Sequence, residues 1–484
     1  MNKLGYKTNI MDISVIHSQT INKYQDVINE FLKNNPKFNR TPITNTFNVK
    51  YYGGENSSFE NITELIKADL NNHDSYSLYL HYPYCQYVCE FCHYPVLKFP
   101  KKINASSDII NLLKKHYDLL LEKFPDLRDK EVSSFYLGGG TPSLLDSNDL
   151  DDLKKNIIDK IRFSKDAELT IESTPDSMSK DRIEKLINTG FNRISMGVQV
   201  LDDNALQKFK RDHNVEQALN IIKCLEQFDN VSKNIDLMYG LPGVSTEKFL
   251  KDVETIARTE VDTITLYRLR LGRIDERKAA MYNDYKNSKE KYPSQVETSI
   301  QVMAARQILL ESEFSEGPLG WFNKMEPHGV NDKYESNVMT NTSFNITSSK
   351  VYEDRWLSQK PMFGLGLSAY SYGKNWQYLN TNNLNDYGNK IDDGIIPFAE
   401  GISLNKLEID LRHLAFLLRY GSELKLSDCH KENTEHIKSI FNDLESLNLA
   451  TRENDSWQLT ELGAAFIDEI IDNYFQERNS YYYK

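Results

Sequence analysis

The stretch HYPYCQYVCEFCH, His81 to His93, places three of the chain's five cysteines, Cys85, Cys89 and Cys92, within eight residues. Thiols crowded in this way clip a loop, hold a metal or carry redox chemistry. An odd total, with Cys224 and Cys429 far off, is no disulfide framework, and a staple inside the loop would leave one thiol over. A structural zinc site wants four closed ligands, the fourth of which His81 or His93 could supply. A four-iron cube normally takes four cysteines, so three would leave one iron open. That open position is useful only if something small and chelating binds there.

The elements around the loop decide what it can face. Short apolar runs alternate with helical periodicity from residue 76 onward. Strands are expected over residues 76–82, 132–137, 168–172, 193–199, 234–239 and 263–268. Helices are expected over 109–124, 149–161, 180–189, 216–228 and 247–258. Six strand–helix units imply a parallel sheet with helices outside, fewer than the eight units of a closed barrel. The expected fold is therefore α/β, an open partial (β/α)6 barrel. Ligands in such folds sit at the carboxyl ends of the strands. Cys85, Gly138–Gly140, Glu172, Gln199, Asp236 and Arg268 all fall at or just past those ends.

Four regions are expected: a helical lead-in over 1–72, the core over 73–275, a connecting region over 276–400 that completes the pocket, and a winged-helix-like domain over 401–484. The lead-in has an amphipathic helix around 21–32, ended by Asn35-Pro36, and a turn at Tyr51-Tyr52-Gly53-Gly54. A helix is expected near 296–310, and residues 363–372 turn glycine-rich and apolar. The last region reads as helices over 404–418 and 435–447 and a wing over 449–466. It carries nine Lys and Arg against fifteen Asp and Glu, and the whole chain has a net charge of -12, which argues against nucleic-acid binding. With no signal peptide and no run long enough to span a membrane, the cytoplasm is the expected compartment.

The spacing Cys-x3-Cys-x2-Cys, with an aromatic residue before the third cysteine, resembles the radical S-adenosylmethionine (SAM) superfamily. The runs YLHYPYCQYVCEFC, YLGGGTPSLL, GFNRISMGVQ, NIDLMYGLPG and GLGLSAYSYG resemble, within it, the oxygen-independent coproporphyrinogen dehydrogenase (HemN-like) family. The resemblance implies a [4Fe-4S] cluster on Cys85, Cys89 and Cys92, with SAM chelating the open iron. An electron from the cluster then cleaves SAM to a 5′-deoxyadenosyl radical. It also implies two SAM molecules side by side. Tyr79 and Phe91 match SAM-contacting positions, and Gly139, Gly140 and Thr141 match the glycine-rich SAM loop, where glycine lets the backbone approach a ligand. Glu172 ends its strand where a carboxylate can accept from an amino group or ribose hydroxyls. Gln199, Arg211 and Asp236 match further SAM positions, with arginine suited to a carboxylate. Arg268 falls where the family has a backbone contact, and Tyr370 where the chain returns to the pocket.

Two departures shape the expected reaction. Coproporphyrinogen dehydrogenases carry another cysteine two positions after the third ligand, where this chain has Tyr94. Their lead-in resembles RYTSYPT, whereas this chain offers Asn39-Arg40-Thr41-Pro42-Ile43-Thr44. The expectation drawn is a class C-type radical SAM methyltransferase, adding a methyl group from a second SAM to an sp² carbon of an aromatic or heteroaromatic substrate. Oxidative decarboxylation of the tetrapyrrole coproporphyrinogen III is the alternative. A heme chaperone is the non-catalytic one, against which the long lead-in counts. The implied partners are a small-molecule substrate and an electron donor such as flavodoxin or ferredoxin.

Overall fold

The computed structural model describes residues 13–39, 43–44, 54–92, 94–101, 104–271, 279–325 and 349–475. His93, Arg40–Pro42 and most of the expected turn at residues 51–54 lie outside them.

Six parallel strands follow one another in chain order: β1 (Ser75–Tyr82), β2 (Glu131–Gly139), β3 (Phe163–Ser173), β4 (Arg193–Gln199), β5 (Ser232–Tyr239) and β6 (Thr263–Arg268). This is the expected partial barrel, open because the strand order is linear. Its edges extend further than the sequence suggested. Beside β1 lies a seventh parallel strand, β7 (Met362–Leu365), followed by an antiparallel run Tyr370–Tyr372, Trp376–Asn380, Phe398–Ser403 and Glu55–Asn56. Beside β6 lie the antiparallel strands Trp321–Lys324 and Phe314–Glu316. The glycine-rich 363–372 segment thus folds back on itself, turning at Gly366 and Ser368, both at positive φ.

The inner strands are buried on both faces, apolar toward the covering helices and largely polar toward the barrel interior; in β2, Val132–Gly138 is buried throughout. The helix Ala105–Lys123 buries Ile109, Ile110, Leu113, Tyr117 and Leu120 at helical spacing. After β2, β3, β4 and β5, a helix starts on a side-chain cap, Asp146, Ser179, Asn214 and Ser245 respectively. Each cap satisfies an otherwise orphaned backbone N–H and fixes where the strand-to-helix loop ends. Those loops form the rim on which the site is built.

The lead-in divides between two cores. Helix Phe59–Leu70, not foreseen in the sequence, puts Ile62, Ile66 and Leu70 into the barrel core. Its buried Asp69 accepts from the Trp376 indole N–H at 2.9 Å and the Lys374 amide at 3.0 Å. Helix Ile13–Asn34 instead joins the C-terminal core, where Phe31 meets Phe466 at 4.9 Å between ring centroids. That core is built on helices Lys406–Tyr420 and Thr434–Ser446 and the hairpin Ala450–Glu453/Ser456–Leu459, in a winged arrangement.

One short helix, Lys350–Trp356, plugs the barrel across the early residues of β1, β2 and β3. Asp354, buried, accepts from Ser77 Oγ at 2.9 Å, Ser133 Oγ at 2.6 Å and Lys360 Nζ at 2.8 Å. Glu168 of β3 accepts from Ser349 Oγ and the Lys350 amide. Asp354→Ala is expected to cost roughly 2–4 kcal/mol of stability, because two buried hydroxyls and an ammonium lose their shared acceptor. A urea titration with an unchanged midpoint would contradict this anchoring.

Candidate active site

The cysteine loop leaves the sheet at the carboxyl end of β1 and is tied down at both ends. Tyr84–Cys85 pairs with Leu97–Lys98, with Leu97 N donating to Pro83 O at 2.7 Å and Phe99 N to Cys85 O at 2.8 Å. In the middle, the Glu90 amide donates to Phe209 O at 3.2 Å, and the Phe91 ring packs on Phe209 at 5.9 Å. The end of β2 supports the loop from below: Gly140 N donates to Tyr82 O at 2.7 Å and Thr141 N to Tyr84 O at 2.8 Å. A Cβ on Gly140 would run into the Tyr84 carbonyl, and one on Gly139, at φ +106°, would stand 2.5 Å from the His81 ring. The glycines therefore admit the chain's own cysteine loop, a closer constraint than the ligand approach expected from the sequence.

His81 is a strut of this assembly. Its Nδ1 accepts from Tyr79 OH at 2.9 Å and its Nε2–H donates to Pro95 O at 3.2 Å. Burial lowers its pKa to about 4, so the ring is neutral and its one lone pair is already used. It does not serve as a fourth metal ligand. Among the described residues, no three His, Cys, Asp or Glu side chains gather as ligands of a single ion.

Glu172, at the end of β3, accepts from Tyr136 OH and Gly139 N, both at 2.9 Å, while burial raises its pKa. Asp236 of β5 accepts from Asn234 Nδ2 at 2.6 Å and Ser195 Oγ at 3.3 Å. Burial first, and then the neighbouring Glu172 charge, push it up to about 7. Gln199 holds a left-handed backbone, φ +72°, at the end of β4, and its Oε1 is buried without a hydrogen-bond partner. Arg211 donates to Gly197 O, lies 3.5 Å from Cys89 Sγ through Nη1, and leaves Nε buried and unpartnered. Tyr370 stacks beside Tyr79 at 6.5 Å and accepts from Arg355 Nη1 at 2.6 Å.

All fourteen expected residues line one cavity of about 670 Å³. Arg268 does so as part of an ionic seam. It donates to Glu469 at 2.7 Å and Gln295 at 2.8 Å, while Arg270 and Arg419 both hold Asp468. Burial alone would raise the Asp468 pKa, but these three arginines keep it well below the usual carboxylate range. The seam ties β6 to helix Ile467–Tyr474.

Sequence reasoning missed Tyr136, Ser195 and Tyr267, and the aromatic floor of Trp321, Tyr352 and Trp356. Alternation could have found Ser195, since Ser195, Gly197 and Gln199 share one face of β4. The floor comes from segments with no chemical motif.

The thiols and the unpartnered polar atoms fit the expected cofactors. Burial pushes the Cys85 thiol up to about 11, so a thiolate there calls for a cation, and Thr141 Oγ1, 3.5 Å away, is placed to donate to it. Arg211 supports Cys89 in the same way. Gln199 Oε1 and Arg211 Nε, with the carboxylates of Glu172 and Asp236, offer both acceptors and donors to a zwitterionic nucleoside.

A model of the radical SAM superfamily matches residues 79–256. Residues 79–256 form a radical SAM domain. Its cofactors are accordingly a [4Fe-4S] cluster and SAM. An oxygen-independent coproporphyrinogen III oxidase from Helicobacter pylori is 24% identical over 460 residues, 90% of this chain and 93% of that protein. The heme chaperone HemW of Bacillus subtilis is 26% identical, covering 83% of this chain and 99% of its own. The crystallised coproporphyrinogen III oxidase HemN of Escherichia coli shares the fold, with a TM-score of 0.68, 20% identity, and coverage of 85% and 93%. No helix among the described residues is long and apolar enough to cross a membrane.

Asp236 sets a pH dependence. A carboxyl whose folded pKa is raised from 3.8 to about 7 binds its proton more tightly when folded, so stability falls as pH rises through that window. In the SAM-free protein, Asp236→Asn is expected to gain on the order of 2 kcal/mol over wild type at pH 8 and almost none at pH 4. Denaturation at the two pH values checks this; a pH-independent difference would overturn it.

Proposed function

We propose that Cys85, Cys89 and Cys92 ligate three irons of the cluster. Tyr79, Phe91, Gly139, Gly140, Thr141, Glu172, Gln199, Arg211 and Asp236 then hold two SAM molecules, with Arg268 and Tyr370 closing the cavity. The reaction is hydrogen-atom abstraction from a propionate side chain of a coproporphyrinogen-type tetrapyrrole; the substrate radical then loses carbon dioxide and passes its remaining electron to a one-electron acceptor, and a vinyl group stands where the propionate was. The observation that carries this reading is the likeness along nearly the whole chain to a protein named for that activity. Covering 90% of the chain, it reaches into the 1–72 lead-in, whose Phe59–Leu70 helix is built into the barrel core. It reverses the preference for methyl transfer drawn from the unmatched lead-in motif.

The bound cofactors supply one thing, a carbon radical able to take a hydrogen atom. The chain supplies the rest. Glu172 and Asp236 accept from ammonium or ribose hydroxyls, and Arg211 faces a carboxylate. Burial pushes the phenols of Tyr79, Tyr136 and Tyr267 well up, so they remain protonated donors. With Trp321, Tyr352 and Trp356, they surround the substrate with flat apolar surface and exclude water, which protects a radical from quenching.

Methyl transfer is the second reading, and one residue favours it. Tyr94 stands in the cavity wall where coproporphyrinogen dehydrogenases carry their additional cysteine.

Anaerobically reconstituted protein with reductant, SAM and coproporphyrinogen III is expected to release carbon dioxide and a vinyl porphyrinogen. S-adenosylhomocysteine together with 5′-deoxyadenosine would favour methyl transfer instead, and neither product but tight heme binding would favour a chaperone. Cys92→Ala is expected to stay folded by circular dichroism yet lose its iron and SAM cleavage. Retained cleavage would refute the ligand assignment.

A further inference from the structure

Besides Arg211, the cavity is lined by Arg268, Arg270, Arg306, Arg355 and Arg419. Four of these stand against carboxylates of the chain: Arg268 against Glu469, Arg270 and Arg419 against Asp468, and Arg306 against Glu316. Arg355 is set among rings. Its guanidinium carbon lies 5.2 Å from the Tyr370 centroid, 4.6 Å from that of Tyr372 and 5.3 Å from that of Phe416, and Nη1 donates to Tyr370 OH at 2.6 Å. Rings attract a guanidinium through its charge and its flat face, whereas a carboxylate takes its N–H edge, so the two kinds of contact do not compete.

The next residue supplies a second donor. Trp356 is 2% exposed and lines the same cavity, and its indole N–H has no hydrogen-bond partner among the described residues. An indole nitrogen can only donate, so what is missing is an acceptor. A buried donor in this state costs free energy until a partner arrives. Arg355 and Trp356 both pack on Phe416, the first through its charge and the second through its ring at 6.3 Å, so they meet at one corner of the cavity. Beside them stand Tyr352, 4.9 Å from the Trp356 ring, and Trp321, 5.6 Å from it. A cation, an unsatisfied donor and flat apolar walls together suit a negatively charged acceptor borne on a flat ring system.

We propose that Arg355 and Trp356 form a carboxylate-binding subsite on the cavity floor, which holds one acidic side chain of the substrate while another is presented for hydrogen abstraction. The proposal deepens the tetrapyrrole reading and rests on it. A coproporphyrinogen-type ring carries a carboxylate on each pyrrole unit, so one can be held while a second reacts. A short relay of rings connects the floor to the cysteine loop: Arg355 bonds Tyr370, Tyr370 stacks beside Tyr79, and Tyr79 OH reaches His81 below the loop. Two tyrosine side chains thus separate the anchor from the loop, a span that a tetrapyrrole can cross. The contacts of Asp354 and Glu168 that fix the plug helix in the barrel also fix where these two donors stand.

The test uses the reconstituted holoenzyme with SAM, kept anaerobic, and reads binding by fluorescence titration. Its two probes are coproporphyrin III, the stable aromatic form of the proposed substrate, and its tetra-amide, which keeps the shape and loses the charge. Wild type is expected to bind the acid at least about tenfold more tightly than the amide. Arg355→Gln is expected to lose about tenfold for the acid and little for the amide, and Arg355→Lys to recover part of that loss. Trp356→Phe, which removes the N–H and keeps a ring, is expected to lose about threefold for the acid. Iron content and circular dichroism of all three variants should match wild type. Equal binding of the two probes by wild type would overturn the subsite, whatever the variants do. So would an Arg355→Gln loss as large for the amide as for the acid, or unchanged acid binding by Arg355→Gln or Trp356→Phe; the tetrapyrrole reading would stand in each case. Binding of neither probe by wild type would instead overturn the tetrapyrrole reading, and the subsite with it.

Discussion

Two backbone hydrogen bonds, from Gly140 and Thr141 to the carbonyls of Tyr82 and Tyr84, hold the cysteine loop on the end of the sheet. They form only because the end of β2 carries no side chain at two successive positions. A single Cβ would push the loop away from His81 or Tyr84, and the thiols would move with it. The same glycine segment donates the Gly139 amide to Glu172, so one turn of backbone sets the thiols and the first buried carboxylate in a common frame. Every distance across the cavity is referred to that frame.

Around it the chain keeps charges in places where burial alone would not leave them. Glu172 and Asp236 share a wall of the cavity, burial raises the proton affinity of both and the Glu172 charge raises that of Asp236 further, while Arg211 and Gln199 keep polar atoms without protein partners. Such an arrangement is unfavourable in the ligand-free protein and becomes favourable when a zwitterionic guest supplies the missing partners. The ionic seam at Arg268, Arg270, Arg419, Asp468 and Glu469 is the contrary case, with carboxylates and guanidiniums matched inside the protein. One end of the cavity is thus unfinished, and the other closes the molecule.

The parallel core was legible because its strands are short apolar-rich runs and four of them, β2 to β5, are followed by a helix with a side-chain cap, both short-range signals. Site residues at strand ends were legible for the same reason, since placement follows from the strand once its end is known. The antiparallel edge strands were not, because Trp376–Asn380 and Phe398–Ser403 are fixed by each other and by the distant Phe59–Leu70 helix, on which Phe59 meets Phe398 at 5.3 Å. The plug helix escaped notice because it is seven residues long and held by Asp354 and Glu168, contacts across more than 180 positions of sequence. Arg268 was placed correctly at a strand end, but its partner Glu469 lies 201 residues on, beyond any local pattern.

The packing of helix Ile13–Asn34 against Phe466 and its neighbours bears on how the molecule assembles. A segment made early by the ribosome finds its apolar partners in segments made much later, Ile300 and Met303 of helix Gln295–Glu311 and Phe466 near the end, so its core is complete only then. The barrel, whose strands pair in the order they are synthesised, can collapse well before that late union. Docking of the C-terminal core then brings the arginine seam together, so the cavity gains its last wall when the most sequence-distant parts of the protein meet.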